Sequence, residues 1–269
     1  MTPSLFAVAL PAEDPAAADA HRSVLASLPA RFRVGPALAP IQVISGRVPG
    51  WVHRAETAVT AGTPAVMLTH LGPANPDDLR KLASVADRAG ALIAVDLPFA
   101  ADRTWTAALP RLRQAVQKAA LLRSLVTTTE PATLPEARLA QLAMIRAILD
   151  EVPSLTAASA HQDHYALTAS EGRMAITVTA VVSPSGPPRH TLDLLGTDQH
   201  WHVDLTDEGP AHPAHITLAD ATGQHTTRPV FETGRRAAWI ALFDALTGDR
   251  ARLTCSIAEL AELAEQCPS

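Results

Sequence analysis

The stretch that most constrains the fold is Thr57–Phe99, whose punctuation spells helix, apolar strand, helix, apolar strand. Val52–Ala61 forms a helix that stops at Gly62, a residue suited to the left-handed position after a helix end. Ala65–Leu68 is a continuous apolar run, as expected of a central parallel strand covered on both faces. Asn75 then caps a second helix, Pro76 takes its first position, and Asp77 and Asp78 complement the dipole. Leu79, Leu82, Val85 and Ala86 recur at helical spacing, Gly90 ends the run, and Leu92–Val95 is the next buried strand. Such alternation argues for a parallel sheet with helical crossovers.

The flanks extend this pattern. Ser4–Leu10, Arg31–Leu38 and Ile41–Ser45 read as strands, with a helix over Asp14–Leu28. Trp105–Lys118 reads as a further helix and Leu121–Thr127 as another strand of the alternating series. Thr133-Leu134-Pro135-Glu136 fits a capping box that opens an apolar-faced helix through Leu149. Beyond Pro153 the period becomes two: Leu155–Ala160, Tyr165–Ala169, Met174–Val182, His190–Leu195, His200–Leu205 and His215–Ala219 are expected antiparallel strands. Ser183–Pro188 and Asp207–Pro210 are turns between them. Trp239, Leu242, Phe243 and Leu246 mark a late helix stopped by Gly248, and Ser256-Ile257-Ala258-Glu259 is a second capping box. The expected fold class is α/β plus α+β. A truncated Rossmann-like parallel-sheet domain (1–128) precedes an open, mostly antiparallel sheet with helices on one face (129–269), and the last helices are free to pack back on the first domain.

A chain of 269 residues can bury a full core. Its net charge of −5 supplies no basic patch, so nucleic acid is not an expected partner. An aromatic fraction of 4% leaves the core to Ala, Val, Leu and Ile. Lys81 and Lys118 are the only lysines, and the abundance of Ala, Pro and Arg suggests a high-GC bacterial source. The N-terminus lacks the basic and long apolar regions of a signal peptide, and no apolar run approaches the roughly 20 residues that span a bilayer. A cytoplasmic location follows as the expectation, with Cys255 and Cys267 as reduced, partly buried thiols.

The order of these elements and the small-residue helix ends resemble the Gfo/Idh/MocA family, NAD(P)-dependent enzymes of the glucose–fructose oxidoreductase and inositol dehydrogenase type. Met144–Ala157 is similar to the segment that closes the family's first C-terminal helix and begins its sheet. Gly196–Leu205, GTDQHWHVDL, resembles its Gly-Thr-x-Gly-x-x-x-Val-Asp turn and strand, and the final Gly234–Gln266 resembles its closing helices. The resemblance implies a two-part architecture whose bare sheet face commonly forms a subunit interface.

It also implies three pieces of chemistry that this chain lacks. A Gly-rich turn after the first strand lets the pyrophosphate approach a helix N-terminus. Here the turn reads Leu10-Pro11-Ala12-Glu13-Asp14-Pro15, without glycine and with two carboxylates where diphosphate would sit. No acid between Asp19 and Glu56 is available to grip the ribose, and Met1–Gly50 is short enough to suggest that a strand–helix unit has been lost. The family's Glu-Lys-Pro falls on Leu68-Thr69-His70, so its catalytic lysine becomes Thr69. Its Asp-x-x-x-His falls on Glu136 and Ala140, so the catalytic histidine is missing as well.

No residue is therefore assigned a catalytic role with a motif behind it; His70 and Glu136 are the candidates, Glu136 with a sufficient alternative role as a cap. Thr69, His70 and Asp96 lie at the C-terminal ends of parallel strands, where α/β proteins bind ligands. His161 and Asp163, with His200, His202 and Asp204 at strand spacing, could form a zinc- or iron-like site or a wet, titratable sheet face. The pair Arg235-Arg236 opens a helix against its dipole, either as a solvated face or toward an anionic partner. The expected function is a catalytically degenerate binding, docking or partner subunit of bacterial specialised-metabolite biosynthesis. It would bind no cofactor or membrane, form a homo-oligomer through the C-terminal sheet, and meet a partner enzyme or small ligand. The alternative is a divergent NAD(P)-dependent or metal-assisted oxidoreductase acting on a small hydroxylated or amino substrate.

Overall fold

The computed structural model describes residues 5–97, 99–206, 213–248, 253 and 255–266. The chain divides into two compact units, Met1–Leu97 with Arg235–Ala264, and Pro98–Gly234 with Glu265–Ser269.

The first unit holds β1 (Phe6–Ala9), α1 (Pro15–Ala26), β2 (Phe32–Val34), β3 (Ile41–Ser45), α2 (Trp51–Thr60), β4 (Ala65–Thr69), α3 (Pro76–Ala89) and β5 (Leu92–Val95). Its five strands are parallel in the order β2-β1-β3-β4-β5. The doubly wound order 3-2-1-4-5-6 becomes this one when its outermost third strand is removed. The six residues from Gly35 to Pro40 carry the chain directly from β2 across β1 to β3. That crossing is tight: a Cβ on Gly35 would lie 2.8 Å from the Ala7 Cβ, so only glycine fits. The order runs outward from β1 in both directions, so right-handed crossovers place α1 on one face and α2 and α3 on the other.

Local signals made these helices. Asn75 Oδ1 accepts the Asp77 N–H at 2.9 Å, Pro76 starts α3, and Gly90 closes it at φ 64°. Ala65–Thr69 is wholly buried, as a central strand requires. Four of the ten aromatic residues gather at one place: Phe6 on β1, Phe32 on β2, and Trp239 and Phe243 on α6 (Gly234–Leu246) pack edge-on at 5.0–5.8 Å. Such pairs contribute about 0.5–1.5 kcal/mol each beyond their buried area. They hold the returning helix α6 on the sheet. In α7 (Ile257–Glu265) the expected capping box forms, Ser256 Oγ accepting the Glu259 N–H and Glu259 Oε2 accepting the Ser256 N–H.

The second unit holds α4 (Arg103–Val116), β6 (Ala119–Thr128), a 3-10 turn (Pro131–Thr133), α5 (Leu134–Leu149) and β7–β13. These strands are β7 (Thr156–Ala160), β8 (His164–Glu171), β9 (Met174–Val182), β10 (Arg189–Gly196), β11 (Gln199–Thr206), β12 (His215–Asp220) and β13 (Gly223–Thr226). They make one sheet in the order β13-β12-β11-β10-β6-β9-β8-β7, antiparallel throughout except for β6 beside β9. α4 packs on β10–β12 and α5 on β6 and β9. The covered face carries Leu122, Val178, Leu192 and Trp201, and alternate residues point the other way.

Two expectations are corrected. Leu121–Thr127 is not a strand of the parallel sheet: it is the centre of the second sheet, hydrogen-bonded to β10 and β9. A strand's own sequence does not specify its partner, and β6 finds its partners more than 45 residues downstream. The capping box at Thr133 and Glu136 does not form. Thr133 has helical backbone angles and its hydroxyl bonds the Glu130 carbonyl and the Thr128 hydroxyl, while Glu136 is buried in the first turn of α5. Cys255 is a buried thiol; Cys267, His212 and the turn at Asp207–Pro210 lie outside the described residues.

Candidate ligand crevice

In the first unit β1 and β3 are neighbours whose following helices leave on opposite faces. The C-terminal ends of such strands are where a doubly wound sheet receives its ligand. Four side chains converge there: Asp14 after β1, Ser45 at the end of β3, His70 after β4 and Asp96 after β5.

Asp14 is the hinge of this arrangement. It is the N-cap of α1, its Oδ1 accepting the Ala17 N–H at 3.1 Å. Its Oδ2 accepts the Ser45 hydroxyl at 2.5 Å and lies 3.2 Å from His70 Nδ1. Burial opposes its charge, but these bonds outweigh it and hold the carboxyl at a pKa of about 2. An ionised carboxylate thus occupies the N-terminal end of α1, the position that draws a phosphate in dinucleotide-binding proteins. Glu13 lies beside it, 3.8 Å from Arg54 Nη2.

His70 adopts a left-handed backbone, φ 48°, which presents its ring to Asp14. Burial lowers its pKa, the Asp14 hydrogen bond opposes that, and Arg47 and Arg235 add to the lowering. Ser45 and His70 share Asp14 as their partner, so no imidazole stands ready to activate the serine hydroxyl, as nucleophilic catalysis requires.

Deeper in the same unit Thr69 Oγ1 donates to Asp96 Oδ2 at 3.1 Å, and Arg235 Nε donates to that oxygen at 2.7 Å. Burial would raise the pKa of Asp96, but the Arg235 guanidinium and His21 nearby carry it below the usual carboxylate value. His21 is fully buried; its Nδ1 accepts the Trp239 indole N–H at 3.0 Å and its Nε2 is 3.7 Å from Asp96 Oδ2. Burial lowers its pKa to about 4, so the ring is neutral at pH 7.

The structure therefore brings Thr69, His70 and Asp96 to one end of one sheet, and each already has a partner within the chain. Arg235 meets an anion within the chain, Asp96, a partner the sequence did not assign to it. Among the residues sequence reasoning missed, Ser45 is a buried polar residue ending β3, and His21 occupies a core-facing position in α1, where a buried polar group must find a partner. Gly46 and Gly72 bring the loops after β3 and β4 together backbone to backbone: a Cβ on Gly46 would lie 2.6 Å from the Gly72 nitrogen.

In the second unit Glu136 and Ala140 are both buried in α5, where Ala140 offers no proton-transfer group. The pooled histidine site also needs correction. His200 and His202 meet, but around Asp193 of β10. His161 and Asp163 lie in the β7–β8 turn, where the His161 and His164 rings stand 4.6 Å apart and His164 Nδ1 meets Asp163 at 2.8 Å. Four strand spacings separate β8 from β11, roughly 19 Å. Asp204 belongs to neither group, being paired with Arg189.

No family model matches the sequence, and no curated protein matches it. Solved structures match over nearly the whole chain. A Bacillus subtilis protein described as a candidate oxidoreductase aligns with a TM-score of 0.75 at 13% identity, covering 99% of this chain and 95% of that one. A UDP-N-acetylglucosamine 3-dehydrogenase from Acidithiobacillus ferrooxidans aligns at 0.69 and 12%, covering 97% and 95%. The fold is Gfo/Idh/MocA-like. A dehydrogenase from Chromobacterium violaceum gives 0.69 at 16%, covering 98% and 93%. At these identities a Gfo/Idh/MocA-like fold is what is shared, and site chemistry has to be read from this chain's own residues. Among the described residues no helix is long and apolar enough to cross a membrane.

Proposed function

We propose that this protein is a Gfo/Idh/MocA-like scaffold without hydride chemistry, acting as a binding, docking or partner subunit. The observation that carries the reading is the Asp14 carboxylate, which caps α1 and is tied to Ser45 and His70 where a dinucleotide would place its diphosphate. A diphosphate would have to displace an ionised carboxylate that already has three donors, and Glu13 adds a second negative charge to its path. Thr69 and Ala140, where the family has its lysine and histidine, remove the groups that would accept a substrate proton.

In this reading no NAD(P) binds, and the uncovered face of the second sheet serves a second copy or a partner enzyme. The setting we propose is bacterial specialised-metabolite biosynthesis, in the cytoplasm. Titration of the purified protein with NADH and NADPH, followed by nicotinamide fluorescence, tests the reading: no saturable signal is expected up to millimolar cofactor, and micromolar binding would sink it. A second reading, a divergent oxidoreductase, is favoured by the oxidoreductase descriptions of the structural neighbours.

A further inference from the structure

The uncovered face of the second sheet carries a polar row that crosses all eight strands. Backbone pairing aligns Thr156, Thr168, Thr177, Arg123, Asp193, His202, Thr217 and Thr226, one from each strand from β7 to β13 by way of β6 and β10. Directly paired residues on one face stand with Cβ atoms about 5 Å apart, within reach of one another's side chains. Asp193 and His202 are such a pair, and His200, two residues back on β11, reaches Asp193 on the diagonal.

The result is a convergent donor set. Asp193 Oδ1 lies 3.0 Å from His200 Nε2 and 2.8 Å from His202 Nδ1. Among the described residues this is the one group of three or more His, Cys or carboxylate donors with all ligand atoms within 4.8 Å of one another. The other carboxylate oxygen, Oδ2, accepts Arg123 Nε at 3.1 Å and Nη2 at 2.7 Å. Arg123 therefore fixes the carboxylate's orientation and leaves Oδ1 to the imidazoles, as outer hydrogen bonds do for metal-ligating carboxylates. Asp193 is almost fully buried, while both rings reach solvent.

We propose that Asp193, His200 and His202 bind a borderline divalent transition-metal ion, of which Zn2+ is the representative, with water or an oxygen-donor ligand completing its coordination. Two imidazoles and one carboxylate suit Zn2+ and its neighbours and do not suit Mg2+ or Ca2+, which favour all-oxygen sets. Zn–N and Zn–O bonds of about 2.0–2.1 Å place tetrahedral donors about 3.3 Å apart. The two Asp193–imidazole separations, 3.0 and 2.8 Å, need to open by about half an ångström or less, and the two ring nitrogens already lie within 4.8 Å of each other. Three protein ligands leave coordination positions open, the pattern of an exchangeable or reactive site. This site stands apart from the nucleotide question, since none of its residues belongs to the first unit.

Calorimetric titration of the chelator-treated full-length protein with ZnCl2 tests the proposal. One equivalent per chain is expected, with binding lost in His200→Ala/His202→Ala and weakened about 10–100-fold in Arg123→Gln. Both histidines are exposed enough that their removal leaves the fold intact, which unchanged circular dichroism will verify. X-ray absorption of the loaded protein should report two imidazoles in the zinc shell. Absence of stoichiometric binding, or binding that survives the double substitution, would overturn the assignment.

Discussion

His21 gives the sharpest energetic prediction, because a fully buried imidazole has to stay neutral for the first unit to remain folded. Trp239 donates to its Nδ1, so the ring carries its proton on Nε2, and burial lowers its pKa to about 4 although Asp96 and Asp14 favour the charged form. Arg235 and His70 oppose protonation. In the unfolded chain the same imidazole titrates near 6.5. Between these values the unfolded state binds a proton that the native state refuses, so stability falls as pH drops through this window and is unaffected above it. At about 1.36 kcal/mol per unit, the loss from His21 alone reaches about 3 kcal/mol by pH 4. His21→Gln keeps an acceptor for the Trp239 indole and removes the titration. Urea unfolding of parent and variant, followed by near-UV circular dichroism from pH 7.5 to 4, isolates the effect. The variant should start less stable and gain about 3 kcal/mol on the parent across the series. A parent–variant difference that stays constant with pH would refute the reasoning.

Other substitutions test the rest of the crevice. Arg235→Ala leaves the Asp96 carboxylate buried without its guanidinium and should cost about 3–5 kcal/mol by urea unfolding, with much of the loss recovered when Asp96→Leu is added. Asp14→Ala removes the α1 cap and the shared partner of Ser45 and His70, a loss of about 1–3 kcal/mol at pH 7. Because the Asp14 pKa is depressed, its contribution persists above about pH 4 and disappears as pH falls toward 2, so parent and variant should converge in that window. Gly46→Ala forces a Cβ to 2.6 Å from the Gly72 nitrogen and should lower stability by about 1–3 kcal/mol in thermal unfolding.

What the sequence made legible was local. Asn75, Pro76 and Gly90 delimit α3 within its own residues, and Ser256 with Glu259 does so for α7, so short-range hydrogen bonding could be read without knowing the fold. The same reading misplaced β6, whose partners are set by distant segments. It also paired His200 and His202 with His161 and Asp163, since spacing says nothing of strand order. Asp193 was overlooked because it sits in the apolar run Leu192-Asp193-Leu194-Leu195, where only the register against His202 reveals its role. Arg235 and Asp96 are separated by 139 residues, and no periodic signal joins them. The Glu13–Asp14 turn was legible as two carboxylates ahead of a helix, whereas the partners of Asp14 were not: Ser45 and His70 reach it from other strands.

The state of the Asp14 carboxyl is therefore the most direct test of the account. Its 13C resonance, assigned by comparison with Asp14→Asn, should stay at the ionised position from pH 7 to 4. It should not move when NADPH is added to millimolar concentration. A midpoint near the ordinary carboxylate value of about 3.9, or a saturable shift on adding NADPH, would contradict the claim that this carboxylate fills the anion site.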